Sequence, residues 1–212
     1  KEEQQRRLEE DQRTWGTNGQ AQFAEILRRN NDSMEELSYN VIQYIVNYMN
    51  INQAGFFIIN EDKSGQKYFE LTGFIAFDRK KYANKKIMWG EGLVGRCALE
   101  MESIYITDIP NNYITVTSGL GESNPSSLLL VPLKANDDVF GVIEMASFKP
   151  FMEHEISFVE KVAESIALTI SSVKTNIQTS ELLRETQIQA EKMAQQEEEL
   201  RQNLEEMQAT QE

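Results

Sequence analysis

Cys97 and His154 are the only cysteine and the only histidine in the chain, which narrowly bounds its nucleophilic and metal-binding chemistry. A single cysteine excludes an internal disulfide framework and any multi-cysteine metal site. It also excludes the paired-thiol chemistry by which peroxides and sulfoxides are reduced. Cys97 stands four residues after Leu93 on an apolar helical face, the setting of a buried structural thiol. His154 precedes Glu155 as a phosphoacceptor histidine precedes an acid, but the Arg and Pro expected downstream are missing and no nucleotide-binding region follows. It reads as a surface residue at a helix start. Gly90, Gly92 and Gly95 in WGEGLVG lack the Lys-Ser/Thr of a phosphate loop, so a turn that needs glycine dihedrals accounts for them better. With no carboxylate pair, no Ser/His/Asp set and no metal-ligating cluster, catalysis is not expected, and the sequence names no cofactor.

Binding is better provided for. Glu70 and Thr72 interrupt the apolar run YFELTGFIAF, and Glu144 interrupts VFGVIEMAS. Such residues either face a pocket or sit on the solvent side of the pleat. The 111–125 segment is long for a loop inside a compact domain. It carries the hydroxyls of Tyr113, Thr115, Thr117 and Ser118, with Arg96 nearby in sequence as an anion partner. With Cys97, these nine residues are the candidate ligand contacts.

The elements that must position them follow from periodicity. The 33–50 segment begins with an Asp32 or Ser33 cap, carries Glu35 and Glu36 in its first turn, and repeats apolar residues every three or four places up to Asn50. AGFFIIN (54–60) and YFELTGFIAF (68–77) flank the turn-prone EDKSGQ and predict an antiparallel hairpin. SLLLVPLK (127–134) and VFGVIEMAS (139–147) predict a second, with Pro132 at an edge or bulge. Between them come a short helix over 91–100 with a glycine-rich entry, a short strand over 104–107 and the long loop.

The two ends have a different texture. In the first 31 residues Leu8 and Trp15 make one thin apolar seam, interrupted by Gly16 and Gly19. After Pro150 there is no Gly before the end and no further Pro beyond it. Ile156, Val159, Ala163, Ile166, Ile170, Val173 and Ile177 form a heptad seam. The register slips over 180–187, and Leu183, Ala190, Met193, Leu200, Leu204 and Met207 restart it. A helix of some 60 residues would run about 90 Å, more than a small domain covers, so a parallel homodimer through both arms is expected. The slip is where such a coil could hold two packings.

The net charge is −13, and residues 181–212 hold nine acidic against three basic side chains. That balance argues against nucleic acid or an anionic membrane surface as partner. No run of 18 apolar residues and no signal peptide are seen, so a cytoplasmic location is expected, as in the cytoplasmic part of a receptor. Both ends read as helices cut in mid-course, as in a fragment of a longer protein.

The segments GEGLVGRCALEMESIYITDIP, SLLLVPLKANDDVFGVIEMASF and FMEHEISFVEKVAESIALTI resemble the glycine-turn helix, the last two strands and the closing helix of GAF domains. The arms resemble the coiled-coil linkers of bacterial receptor kinases. The resemblance implies an α+β fold: a six-stranded antiparallel sheet with helices on both sides and long N- and C-terminal coiled-coil helices. Domain limits are expected at 1–31, 32–173 and 174–212. It further implies a sensor or relay in two-component signalling, binding a small molecule and feeding a downstream transmitter of the histidine-kinase type. A ligand-free dimerisation and spacer domain is the alternative, and a GAF-fold sulfoxide reductase a third. Some family members attach a bilin at a pocket cysteine followed by His, but here Ala98 follows Cys97. Cyclic-nucleotide binders carry an Asn-Lys, matched by Asn84-Lys85, yet the later Phe and acidic pair are missing.

Overall fold

The computed structural model describes residues 2–29, 33–76, 79–80, 86–109, 116–118 and 121–209. In chain order the elements are α1 (Glu2–Arg29), α2 (Met34–Met49), β1 (Gln53–Glu61), β2 (Lys67–Ala76), β3 (Arg79–Lys80), β4 (Lys86–Met88) and α3 (Gly92–Glu100). There follow β5 (Ile104–Ile106), β6 (Val116–Ser118), β7 (Gly121–Ser123), β8 (Ser127–Ala135), β9 (Asp138–Ser147) and α4 (Glu153–Ala209). The chain divides into two compact units, Lys1–Val173 and Lys174–Glu212.

The first unit is built on an antiparallel sheet of order β3-β2-β1-β9-β8-β5, with β4 also pairing with β2. β3 joins β2 at Ile75 and Ala76, and β4 joins it at Tyr68 to Glu70. Two short strands thus share one edge, and the sheet is six strands wide. Both expected hairpins form, β1 with β2 and β8 with β9. Asn136 closes the second in the left-handed region at φ 55°, a conformation Asn tolerates better than most residues. Pro132 lies beyond Leu130, where pairing with β5 ends, and just before a register shift at Leu133/Lys134. The 111–125 segment, read from sequence as one loop, contains the β6/β7 pair.

α2 starts where its caps say it should. The Ser33 hydroxyl accepts the Glu36 N–H at 3.3 Å, and Asn50 ends the helix at φ 52° with its N–H on the Val46 carbonyl. Leu37, Val41, Ile42 and Ile45 of α2 are buried against one sheet face with Phe56, Ile58, Leu129, Val131, Ile143 and Met145. Val159, Ala163, Ile166, Ile170 and Val173 of α4 join that cluster.

This placement corrects part of the expected dimer seam. From Val159 to Val173 the three-four spacing serves the domain's own core, because a helix lying on a sheet needs the same stripe as a coiled coil. Ile156 packs at the margin of that cluster, while Ile177 is exposed. Trp15 is likewise occupied within the chain: its ring stacks on Tyr48 at 4.9 Å and meets Phe158 at 5.1 Å. Leu8 is exposed. Gly16 and Gly19 do not interrupt α1, which runs through both.

The second unit is the helix from Lys174 to Ala209 within α4. Its Leu183, Met193, Leu200, Leu204 and Met207 are all more than half exposed. Among the described residues no helix is long and apolar enough to cross a membrane.

Candidate functional site

The opposite face of the sheet carries α3. Phe57 and Ile59 of β1, Phe69 of β2, Ile87 of β4, Leu128 and Leu130 of β8, and Val142 and Ala146 of β9 form a second apolar cluster with Val94, Cys97 and Ala98. Glu144 lies between Val142 and Ala146 on β9, so alternation aims it at the same face. Its cross-strand neighbours are Gly55 on β1 and Leu130 on β8. A half-buried carboxylate therefore stands in the middle of an apolar face, beside a strand position that has no side chain. A Cβ at Gly55 would come 3.2 Å from the Phe57 ring and 3.3 Å from Leu71, which is tight but yielding. The Phe57 ring and Leu71 therefore already lie over Gly55, beside Glu144.

α3 forms the roof, and glycine positions it. Gly90 and Gly92 adopt φ of +79° and +64°, and the Gly95 N–H bonds the Glu91 carbonyl at 3.0 Å. A Cβ on Gly95 would lie 2.5 Å from the Gly90 carbonyl carbon. The glycine triplet is thus a turn with a backbone-on-backbone contact, as its dihedral reading implies. At one side Trp89 stacks parallel to Phe69 at 5.6 Å, with the Lys67 ammonium 5.6 Å from the Trp89 ring centroid.

Cys97 is wholly buried, with its thiol on the Glu102 carbonyl at 3.3 Å. Burial, then the nearby Glu100 and Glu144 carboxylates, push it up to about 12. It is a protonated packing residue of low nucleophilicity.

The structure separates the candidate ligand contacts. Glu144 and Cys97 meet on the α3 face. Glu70 and Thr72 do not: Glu70 pairs across from Ile58 and accepts the Asn60 amide at 2.7 Å, while the Thr72 hydroxyl lies 2.7 Å from Ser38 on α2. Both belong to the face covered by α2. Phe69 takes the α3 side, and the β-bulge between Phe56 and Phe57 leaves Thr72 as the extra residue on β2. Arg96 points outward from α3 into a surface pair with Glu100 at 2.8 Å. Thr117 and Ser118 sit in β6, opposite Glu122 and Gly121. Tyr113 and Thr115 lie outside the described residues, as do Asn84 and Lys85. Sequence reasoning missed Gly55 and Trp89. A glycine inside an aromatic and β-branched strand was the available signal for the first.

A model of the GAF domain matches residues 31–171. None of the curated proteins matches the chain by sequence. Among solved structures, the GAF domain of a phosphoenolpyruvate-protein phosphotransferase from Coxiella burnetii is 17% identical with a TM-score of 0.59. The alignment covers 76% of this chain and 95% of that one. Free methionine-R-sulfoxide reductase from Neisseria meningitidis, solved with its substrate, is 15% identical with a TM-score of 0.61, over 76% and 91% of the two chains. The nlh2 GAF domain from A. aeolicus, in an inactive state, is 15% identical with a TM-score of 0.57, over 76% and 98%. At these identities the likeness is one of fold.

Proposed function

This chain belongs to the GAF domain family, and from that premise we propose that it is a non-catalytic signalling module that holds a small molecule between the sheet and α3. The bound state biases how two copies pair through their helices, and the pair drives a downstream transmitter of the histidine-kinase type in the cytoplasm. The observation that carries the reading is Glu144: a half-buried carboxylate on the otherwise apolar face under α3, paired across the sheet with Gly55. A carboxylate there suits a ligand that brings hydrogen-bond donors or a positive charge into an otherwise apolar site. For such a ligand to signal, it must bind one state of the module better than the other.

Native mass spectrometry of freshly purified protein, then thermal-shift screening against cationic and amide-bearing metabolites, tests this. A compound that stabilises the chain, but no longer does so with Glu144→Gln or Gly55→Val, supports the site. Stabilisation that survives both changes overturns it.

A second reading, a ligand-free dimerisation and spacing domain, is favoured by how closely this face is filled. Cys97, Leu128, Leu130 and Val142 have no exposed surface. The same screen discriminates, since a spacer domain binds nothing. The reductase reading draws on the Neisseria relative, but reducing a sulfoxide through a disulfide consumes two thiols. This chain has one, and it is buried and protonated.

A further inference from the structure

From the charge pattern of the Lys174–Ala209 helix we infer that it pairs with a second copy of itself, parallel and in register, and that Glu197 inside the seam holds the pair near its opening point. The inference rests on the signalling reading above for its purpose, but not for its geometry.

Leu183, Ala190, Glu197 and Leu204 recur every seven residues, as do Thr186, Met193, Leu200 and Met207 three places later. These are the a and d positions of a two-stranded coil. The apolar members are exposed in the single chain, with Leu183, Met193 and Leu200 above 60%. They sit one heptad place away from the register of Val159 to Val173, which the domain core consumes. The downstream seam is thus a separate surface that core packing leaves unused.

The charges say what covers it. In this register the e and g positions flanking the seam are Gln187, Gln189, Ala194, Gln196, Arg201 and Asn203. The glutamates at 185, 191, 198, 199, 205 and 206 fall at the outer b and c positions. A strongly acidic helix whose acids stand away from its apolar seam can approach an identical helix without like-charge contact along the flanks. A basic partner would instead be met by acids beside the seam. Arg201, the one charged flank, is held within its own helix by Glu198 and Glu205.

Glu197 is the exception. At an a position in a parallel, in-register pair it meets its own copy across the axis. A polar a residue fixes register at a cost in stability, and two carboxylates add repulsion. The coil is therefore continuous but weak at one layer, which lets a small bias from the domain shift it.

Single cysteines test the geometry in the otherwise complete chain, since Cys97 is buried. Met193→Cys and Leu200→Cys are each expected to give a covalent dimer on mild oxidation. Ile188→Cys, on the outer side, should not. An antiparallel pair can bring at most one of the two seam positions to its own copy, so cross-linking at only one of them, or at neither, overturns the inference. Sedimentation equilibrium of Glu197→Leu should show a dimer at least tenfold tighter, and an unchanged or weaker dimer sinks the weak-layer role. Loss of cross-linking with metabolite stabilisation intact would remove the pairing alone. Cross-linking without any stabilising metabolite would remove the ligand site alone.

Discussion

The Tyr48 hydroxyl donates to the Trp15 main-chain carbonyl over 2.6 Å, and the two rings stack 4.9 Å apart. Tyr44, stacked on Tyr48 at 5.2 Å, donates in turn to the Gly19 carbonyl at 3.1 Å. Two tyrosines of α2 thus grip one side of α1 through its backbone, with Phe158 of α4 completing the clamp. Burial, and then the neighbouring Tyr48, push the Tyr44 phenol up to about 12, so the hydroxyl stays a donor well into alkaline solution. The arm that precedes the domain is docked on the same helices that close it.

That docking depends on a missing side chain. A Cβ on Gly19 would fall 2.5 Å from Tyr48 and 2.7 Å from Phe158, while one on Gly16 meets nothing within 4 Å. Gly19→Ala should therefore cost about 1–3 kcal/mol through overpacking. Gly16→Ala should gain up to about 1 kcal/mol from helix propensity alone. Urea unfolding gives both signs, and amide exchange over α1 should accelerate only for the Gly19 variant. Equal behaviour of the two would mean that α1 is not held by this clamp.

Cys97 gives a pH-dependent prediction. Its pKa rises from 9.0 to about 12 on folding, so the folded state keeps its proton where the unfolded chain has lost it. The contribution is fully present below about pH 9 and is lost as pH rises toward 12. Native protein at pH 8 should resist a thiol-specific reagent until urea unfolds it. Rapid labelling in the folded state would show the thiol to be open to solvent.

The hydroxyls of Ser38, which is buried, and Thr72, which is half-buried, tie α2 to the bulge in β2. Ser38 donates to the Met34 carbonyl at 2.7 Å, and Thr72 reaches both Ser38 and the Phe56 carbonyl. Each hydroxyl keeps a main-chain partner when the other is removed. Ser38→Ala and Thr72→Val should then cost about 1 kcal/mol each, and the double variant less than their sum. Strict additivity would mean that the two hydroxyls do not interact.

Period and punctuation explain what the sequence reveals and what it hides. Ser33, Asn50 and the two hairpin turns are local signals, and local chemistry fixed those boundaries. The stripe Val159 to Val173 was legible as a stripe, but spacing alone does not tell a sheet from a second helix as its cover. Glu70 and Thr72 alternate with Phe69 and Leu71, so they share the face that α2 covers, but alternation in YFELTGFIAF does not say which helix lies over which face. Glu144 came out on the α3 face because β9 keeps strict alternation between Val142 and Ala146. Gly55, its cross-strand partner, has no side chain of its own, and the Phe57 ring and Leu71 lie over it.

Glycine serves two different ends at the entry to α3. At Gly92 the demand is conformational: φ is +64°, yet a Cβ would meet nothing within 4 Å. At Gly95 the demand is spatial, since a Cβ would lie 2.5 to 2.8 Å from three backbone atoms of Gly90, which have no rotamer to escape by. Gly92→Ala should cost about 1–2 kcal/mol, the usual strain of a left-handed residue with a side chain. Gly95→Ala must instead push α3 off the turn, which puts it at or above about 3 kcal/mol. It should also open the Cys97 layer beneath. Thermal unfolding read beside Cys97 labelling at pH 8 tests both, with labelling expected to rise for Gly95→Ala and to stay low for Gly92→Ala. If the thiol remains protected in the Gly95 variant, α3 is seated by its contacts with β8 and β9 and not by its glycine turn.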